Sequence, residues 1–353
     1  MSDLSGASIT GEPATNHPGV QAALSAEVAM AGGADPDPNE PKEIVGRSPG
    51  QLAFRRLRRD RTAVVSGFIV AAIAIIAFGA PVISAIYGQD PTTPNPDLLD
   101  LDGRPLGLLN GVSGKHWLGL QPSTGRDVFM QLVYGMRTSL IIALIGSILT
   151  IAFGSVIGAI AGYFGGKIDA VINWITDVAM AFPFLIFALA VVPVVGSAIV
   201  GDEEVPGPFV RSAMLMGIFI ILGWMGSARL VRGQVISLRE REFVEAARAS
   251  GASNFHIIFK QVLPNVWAPI LVTFSLLVPQ LITTEAALSF LGVGVPEPTP
   301  DLGRVILDAV NVMQGEGMWF YFLCAGGVLF LLVLTFNLLG DAVRDALDPK
   351  STR

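Results

Sequence analysis

The chain has 353 residues, of which 52% are hydrophobic and 15% charged, against roughly 25% charged in an ordinary soluble protein. With a mean hydropathy of +0.59, this balance excludes an ordinary soluble enzyme and makes membrane spans the unit to count. The single cysteine, Cys324, lies in an apolar run and His17, His116 and His256 are scattered, so neither a disulfide framework nor a metal centre is expected.

Residues 1–50 are rich in Ala, Gly, Pro and acids, with only Lys42 and Arg47 as cations, and are expected to form a disordered acidic cytoplasmic tail. No apolar stretch of a secretory signal occurs in the first forty residues. Arg55, Arg56, Arg58, Arg59 and Arg61 then form a basic flank to an apolar run over 63–86, giving a first unit of 51–86. An external loop is expected over 87–137 and a core of five further spans over 138–340. Those spans fall at 138–161, 170–200, 209–228, 266–291 and 318–339, each near the 20 or so helical residues that cross a bilayer. Pro183 and Pro193 predict that the third is bent or broken. In the second, Gly154, Gly158 and Gly162 recur every fourth residue and predict a packing seam.

With both termini inside, only Arg104, Lys115, Arg126, Arg137, Arg211 and Arg304 of the 23 Lys and Arg lie outside. The positive-inside rule therefore predicts a cytoplasmic N-terminus and a cytoplasmic C-terminal segment, 341–353. In that segment Asp341, Arg344, Asp345 and Asp348 have the spacing of helical ion pairs.

The cytoplasmic stretch 237–265 contains REREFVEAARASGASNFHIIFKQVLPN, whose pattern predicts two short helices. Gly251 suits the left-handed position after the first helix, Ser253 suits the cap of the second, and Pro264 marks the entry to the fifth span. Phe255, Ile258, Phe259 and Val262 form an apolar stripe expected to face the cytosol as a docking element for a soluble partner. The plainer alternative is that these helices lie on the membrane surface or fold under the spans.

Glu245, Ala246, Ala247, Gly251, Leu263 and Pro264 together resemble the EAA loop of permease subunits in bacterial ABC importers. The resemblance extends to the dipeptide, oligopeptide and nickel branch of that family over roughly 50–350. It is carried by Gly125, Arg126, Asp127, Gly135 and Arg137, by Asp177 with Phe182 and Pro183, by EAALSFLGVGVPEPTPDLG, and by NLLGDAVRDALDP. Gln121 stands where that branch usually has Asp. The match is nearest to the second permease subunit of peptide importers. The resemblance implies an all-α transmembrane fold of six helices, one extra N-terminal span plus a five-span type I importer core, in the bacterial plasma membrane. It implies that the six EAA-loop residues couple to ATPase subunits. The partners implied are a second homologous permease chain, two ATPase subunits carrying ATP and Mg2+, and an extracytoplasmic substrate-binding protein, with no nucleic acid.

No G-x-x-x-x-G-K-[ST] phosphate loop occurs, so this chain is expected to bind no cofactor and to be non-catalytic, with ATP hydrolysed elsewhere. Asp177 and Glu285 are the two acids inside apolar segments, and each reads either as helix packing or as lining of the translocation path. The expected function is half of a peptide pathway working by alternating access. The alternatives are an ion-coupled transporter using Asp177 and Glu285, an importer of nickel or glutathione, and a membrane scaffold that recruits a partner through the same loop.

Overall fold

Apolar runs of this length in a bilayer must satisfy their backbone hydrogen bonds within one segment, and the helix does so. The computed structural model describes residues 49–201, 204–316 and 319–348. The expected tail over 1–48, the last residues 349–353, and Asp202, Glu203, Gly317 and Met318 lie outside the described residues. Among the described residues there is no strand, only two isolated bridges, Leu99 with Pro105 and Leu120 with Asp127.

The basic flank forms α1 (Pro49–Arg59), and Asp60 then caps α2 (Arg61–Phe78), accepting from the Thr62 N–H at 2.7 Å. The first span was expected to be continuous over 63–86. It breaks at Gly79, after which Pro81 sits in the first turn of α3 (Ala80–Tyr87), where a missing N–H costs nothing.

The second span starts ten residues before its expected first residue. It is α4 (Val128–Phe164), 37 residues, about 56 Å long at 1.5 Å per residue, so it projects well beyond a hydrocarbon core of about 30 Å. The expected loop 87–137 therefore ends at Asp127. The third span is broken as Pro183 predicts: α5 (Gly166–Met180) and α6 (Phe184–Val200) meet at 86°, with Pro183 at the N-cap of α6. α7 (Pro208–Leu238) runs ten residues past the expected end of the fourth span.

The expected pair of short helices follows. α8 (Glu242–Ala249) ends at Ser250, and Gly251 takes φ +79° as predicted. The Ser253 hydroxyl caps α9 (Asn254–His256), accepting from the His256 N–H at 3.2 Å. The chain then continues through a π turn (Ile257–Val262) and a 3-10 turn (Leu263–Val266) into α10 (Trp267–Phe290), so the second short helix is the lower end of the fifth span. An amphipathic helix that the sequence reading did not place, α11 (Leu302–Glu316), precedes the last span, α12 (Trp319–Leu347). Among the described residues five helices are long and apolar enough to cross a membrane, and six spans result when the bent pair α5 and α6 is taken as one.

The core joins α2, α3, α4, α6, α7, α10, α11 and α12 around Leu132, Leu140, Phe219, Ile282, Leu302 and Tyr321, all buried. Its most extensive helix contact is α4 on α7, and the glycine seam explains it. A Cβ on Gly154 would lie 2.5 Å from the Trp224 carbonyl oxygen, one on Gly158 2.9 Å from Ala228 Cα, and one on Gly162 2.8 Å from the Arg232 carbonyl oxygen. The two backbones touch along three turns because these side chains are absent.

At the last turn of α12, Arg344 forms no ion pair with Asp341 or Asp345 among the described residues, contrary to the spacing argument. Arg56 of α1 instead donates to the carbonyl oxygens of Asp348 (2.8 Å) and Ala346 (3.5 Å). The terminal carbonyls of a helix lack intrahelical partners, and a cation there also complements the helix dipole.

Candidate functional site

Two features at the α8 end of the bundle bear on function: the surface of α8 with the turns that follow it, and a cleft above it. The expectation of an apolar stripe facing water is corrected in part. Val244, Ile257, Ile258 and Val262 are buried against Ala159 and Tyr163 of α4 and Val231 and Val235 of α7, because α4 and α7 project far enough to supply a packing surface. Leu263 and Ala247 are partly buried at the edge of the same cluster, so folding under the spans describes this inner face. Polar contacts fix it further: the Tyr163 hydroxyl donates to Asn254 Oδ1 at 3.0 Å, Arg239 donates to the Gly162 carbonyl at 3.1 Å, and the Arg248 guanidinium stands 5.8 Å from the Tyr163 ring centroid.

The outer face is a different surface. Glu245, Ala246, Gly251 and Pro264 are exposed, and so are Phe243 and Phe255, the latter at 70%. Phe255 stacks against Phe259 with ring centroids 4.4 Å apart. The structure thus divides the six EAA-loop residues: four face outward and two sit at the cemented edge.

One further joint ties this end together. Arg232 of α7 grips Asp169 in the first turn of α5 with two hydrogen bonds, 2.5 and 2.6 Å, and the Asn173 amide donates to the same carboxylate at 2.7 Å. This pair is half-buried, and it fixes α5 relative to α7. Replacing Asp169 with Asn is expected to lower the unfolding free energy by about 1.5 to 3 kcal/mol, read as a lower melting temperature of the detergent-purified chain. An unchanged melting temperature would remove the joint.

The cleft, about 1080 Å³, lies between the α5–α6 elbow, α7 and α10. Its walls are mostly apolar, with Thr273, Gln280, Thr283 and Thr284 of α10 and Ser227 of α7 as uncharged polar groups and Arg344 of α12 as a charged one. The Thr283 hydroxyl donates back to the Pro279 carbonyl one turn earlier at 2.9 Å, which satisfies this polar group within its own helix.

Neither acid singled out from the sequence lines this cleft. The Asp177 side chain is 67% exposed and pairs with Arg229 of α7, a few residues from the cleft residues Met180 and Leu230. Glu285 is 0% exposed and lies on another face of α10, packed toward α4 and α11. Of the two readings left open for it, helix packing is the one that matches this position, because the turn that carries it faces the core. The sequence reading missed Asp301 and Ser139, which face Glu285, and Arg229, which answers Asp177. No local pattern connects groups 16, 146 and 52 positions apart.

At the opposite end, Asp127 caps α4 through the Met130 N–H (2.8 Å) and also contacts His116 Nδ1 (2.8 Å) and the Tyr87 hydroxyl (3.1 Å). Gln121 accepts from Gln131 at 2.6 Å and donates to Asp308 of α11 at 3.1 Å. Burial pushes the Asp308 carboxyl above its usual range, against the lowering effect of Arg304. Among the described residues no three metal-ligating side chains converge.

Fold and site together define a polytopic α-helical membrane protein with a cleft between its spans and a helical element presented at one end. A family model described as the binding-protein-dependent transport system inner membrane component matches residues 154–353, and the N-terminal TM domain of oligopeptide transport permease C matches residues 48–101. The dipeptide transport system permease protein DppC of Alkalihalophilus pseudofirmus is 36% identical over 319 residues, 89% of this chain and 95% of its own. The oligopeptide transport system permease protein OppC of Haemophilus influenzae is 35% identical over 319 residues, covering 88% and 92%. The glutathione transport system permease protein GsiD of Pectobacterium atrosepticum is 35% identical over 304 residues, covering 86% and 92%. A solved inward-facing structure of the MetNI methionine ABC transporter is similar over 62% of this chain and 96% of its own, at a TM-score of 0.46 and 19% identity. The chain belongs to the family of binding-protein-dependent transport system inner membrane components, the permeases of ABC importers, in the branch of the dipeptide and oligopeptide proteins.

Proposed function

We propose that this chain forms half of the translocation pathway of an ATP-driven peptide importer in the bacterial plasma membrane, with its N- and C-termini in the cytoplasm. A second homologous permease chain completes the pathway, two ATPase subunits supply ATP and Mg2+ chemistry, and an extracytoplasmic binding protein delivers substrate. The chain itself is non-catalytic. The excess of Lys and Arg at the α8 end supports the orientation. Dipeptide, oligopeptide and glutathione permeases among its relatives support a peptide substrate. Most of the cleft's polar groups, Gln280, Thr283 and Thr284 among them, are uncharged, and among the described residues the one charged residue in its lining is Arg344; a largely uncharged wall suits a pathway that passes peptides of varied side chain.

The observation that carries this reading is the two-sidedness of α8. Its inner residue Val244 is buried with the ends of α4 and α7, whereas Phe243 and Ala246 on the same helix, and Phe255 just after it, are exposed and open to a partner. In the cycle we infer, ATP closes the ATPase pair and α8 moves with it. The two projecting helices carry that motion to the cleft. ATP drives the change only if it binds one of the two conformations better.

Ala246→Trp is the test. Ala246 is exposed, so the variant is expected to accumulate and melt like the unmodified chain, while ATP-dependent peptide uptake in vesicles falls below a tenth and the ATPase loses its response to loaded binding protein. Full uptake in this variant removes α8 as the coupling element. The ion-coupled alternative is not favoured, since Asp177 is paired with Arg229 and Glu285 is packed away from the cleft.

A further inference from the structure

The five arginines before the first span do more than flank it. α1 joins α2 through Asp60 alone, so it stands where the first span enters the bilayer. A Cβ on Gly50 would lie 3.9 Å from the ring of Trp267, the first residue of α10, and Arg56 holds the last carbonyls of α12. α1 therefore lies across the ends of three spans, at the depth where lipid headgroups sit.

A cavity of about 740 Å³ opens between α1 and the end of α12. Arg55, Arg56, Arg59 and Arg61 line it, with Leu52 and Leu57 beside them, and the two carboxylates at its wall belong to Asp60 and Asp345. Asp60 is already engaged as the α2 cap. Among the described residues no ion pair engages any of the four arginines. Guanidinium groups hold phosphate through paired N–H donors. Leu52 and Phe54 of α1 and Val64, Val65 and Phe68 of α2 are exposed next to this cluster, an apolar surface for acyl chains beside a cationic one for a headgroup.

We propose that this pocket binds the headgroup of an anionic phospholipid, with the arginines on the phosphate and the exposed side chains of α1 and α2 along the acyl chains. Charge and depth select the occupant. A basic pocket between helix ends at headgroup level meets anionic lipid whatever else the protein assembles with. The inference rests on the membrane placement of the spans and is independent of the ATPase reading.

The experiment compares the unmodified chain with the triple variant Arg55→Gln, Arg59→Gln, Arg61→Gln, which leaves Arg56 to hold the helix, and with Lys167→Gln as a charge control at the same end. Each is exchanged from detergent into nanodiscs of phosphatidylcholine with or without phosphatidylglycerol. Retained lipid is then counted by native mass spectrometry and melting temperature is measured. Phosphatidylglycerol is expected to be retained over phosphatidylcholine and to raise the melting temperature of the unmodified chain and of Lys167→Gln. In the triple variant retention should fall roughly 100-fold, at about fivefold per arginine, while its melting temperature in pure phosphatidylcholine stays near that of the unmodified chain. Equal retention by the triple variant, or no lipid preference in the unmodified chain, overturns the proposal. Stabilisation by inorganic phosphate without any retained lipid would make this a free anion site and overturns it too.

Discussion

A leucine at Gly158 of α4 is expected to leave no stable protein, whereas an alanine at Gly217 of α7 leaves it unchanged or slightly more stable. Both are helix glycines in the same contacting pair of helices, but their surroundings differ. At Gly158 even a bare Cβ would stand 2.9 Å from Ala228 Cα and 3.0 Å from its carbonyl carbon, both backbone atoms that cannot turn aside. Overpacking a tight core costs about 1 to 3 kcal/mol where side chains can yield, and here the whole of α7 must move. Because α4 and α7 also carry the buried face of α8, a shift at this seam would misplace that element as well. At Gly217 nothing lies within 4 Å, and alanine favours a helix over glycine by about 1 kcal/mol. Size-exclusion profiles and melting temperatures of the two variants decide the matter. A monodisperse Gly158→Leu protein with a normal melting temperature would mean that the seam is not a tight joint.

The sequence made some of this legible and hid the rest for physical reasons. Gly251 and Ser253 were readable because a left-handed backbone and a capping hydroxyl are local requirements, settled within four residues. The break at Pro183 was readable for the same reason. Helix ends were not. Val128 to Arg137 carries Gln131, Tyr134 and Arg137 and looks like a polar lead-in, yet it is helical because Asp127 caps it and the outer loop and α11 bury it. α11 itself shows Leu302, Val305, Ile306 and Ala309 at helical spacing after a capping Asp301. That signal lies between the fifth and sixth spans, too short to cross a bilayer and so outside every span placed from the sequence. The fate of the apolar stripe after Gly251 depended on how far α4 and α7 extend, which no property of the stripe encodes.

Glu285 gives the second large expected effect, and the choice of substitution separates its two readings. Among the described residues its two carboxyl oxygens, Ser139 Oγ, Ser289 Oγ and Asp301 Oδ2 form no hydrogen bond of ordinary geometry, although Asp301 and Ser139 stand beside the carboxyl. Packing brings these groups to one place. Gly135, one turn before Ser139, would set a Cβ 3.4 Å from the Asp301 carbonyl carbon, and Gly303 would set one 2.7 Å from Ser289 Cβ. Asp301 spends its other oxygen on the first turn of α11, accepting from the Gly303 N–H at 2.8 Å. The cluster is therefore rich in acceptors, and a carboxylate at its centre would be an uncompensated buried charge, costing several kcal/mol. Glutamine keeps the size of Glu285, carries no charge and brings two N–H donors to these oxygens. Glu285→Gln is expected to raise the melting temperature and to retain uptake. Glu285→Leu also removes the charge but supplies no donor, and is expected to be less stable than the glutamine variant by about 1 to 3 kcal/mol, the cost of leaving a buried acceptor unmet. If Glu285 instead served the pathway, Glu285→Gln would fold normally and lose transport, and that result would return this residue to the translocation path in spite of its burial.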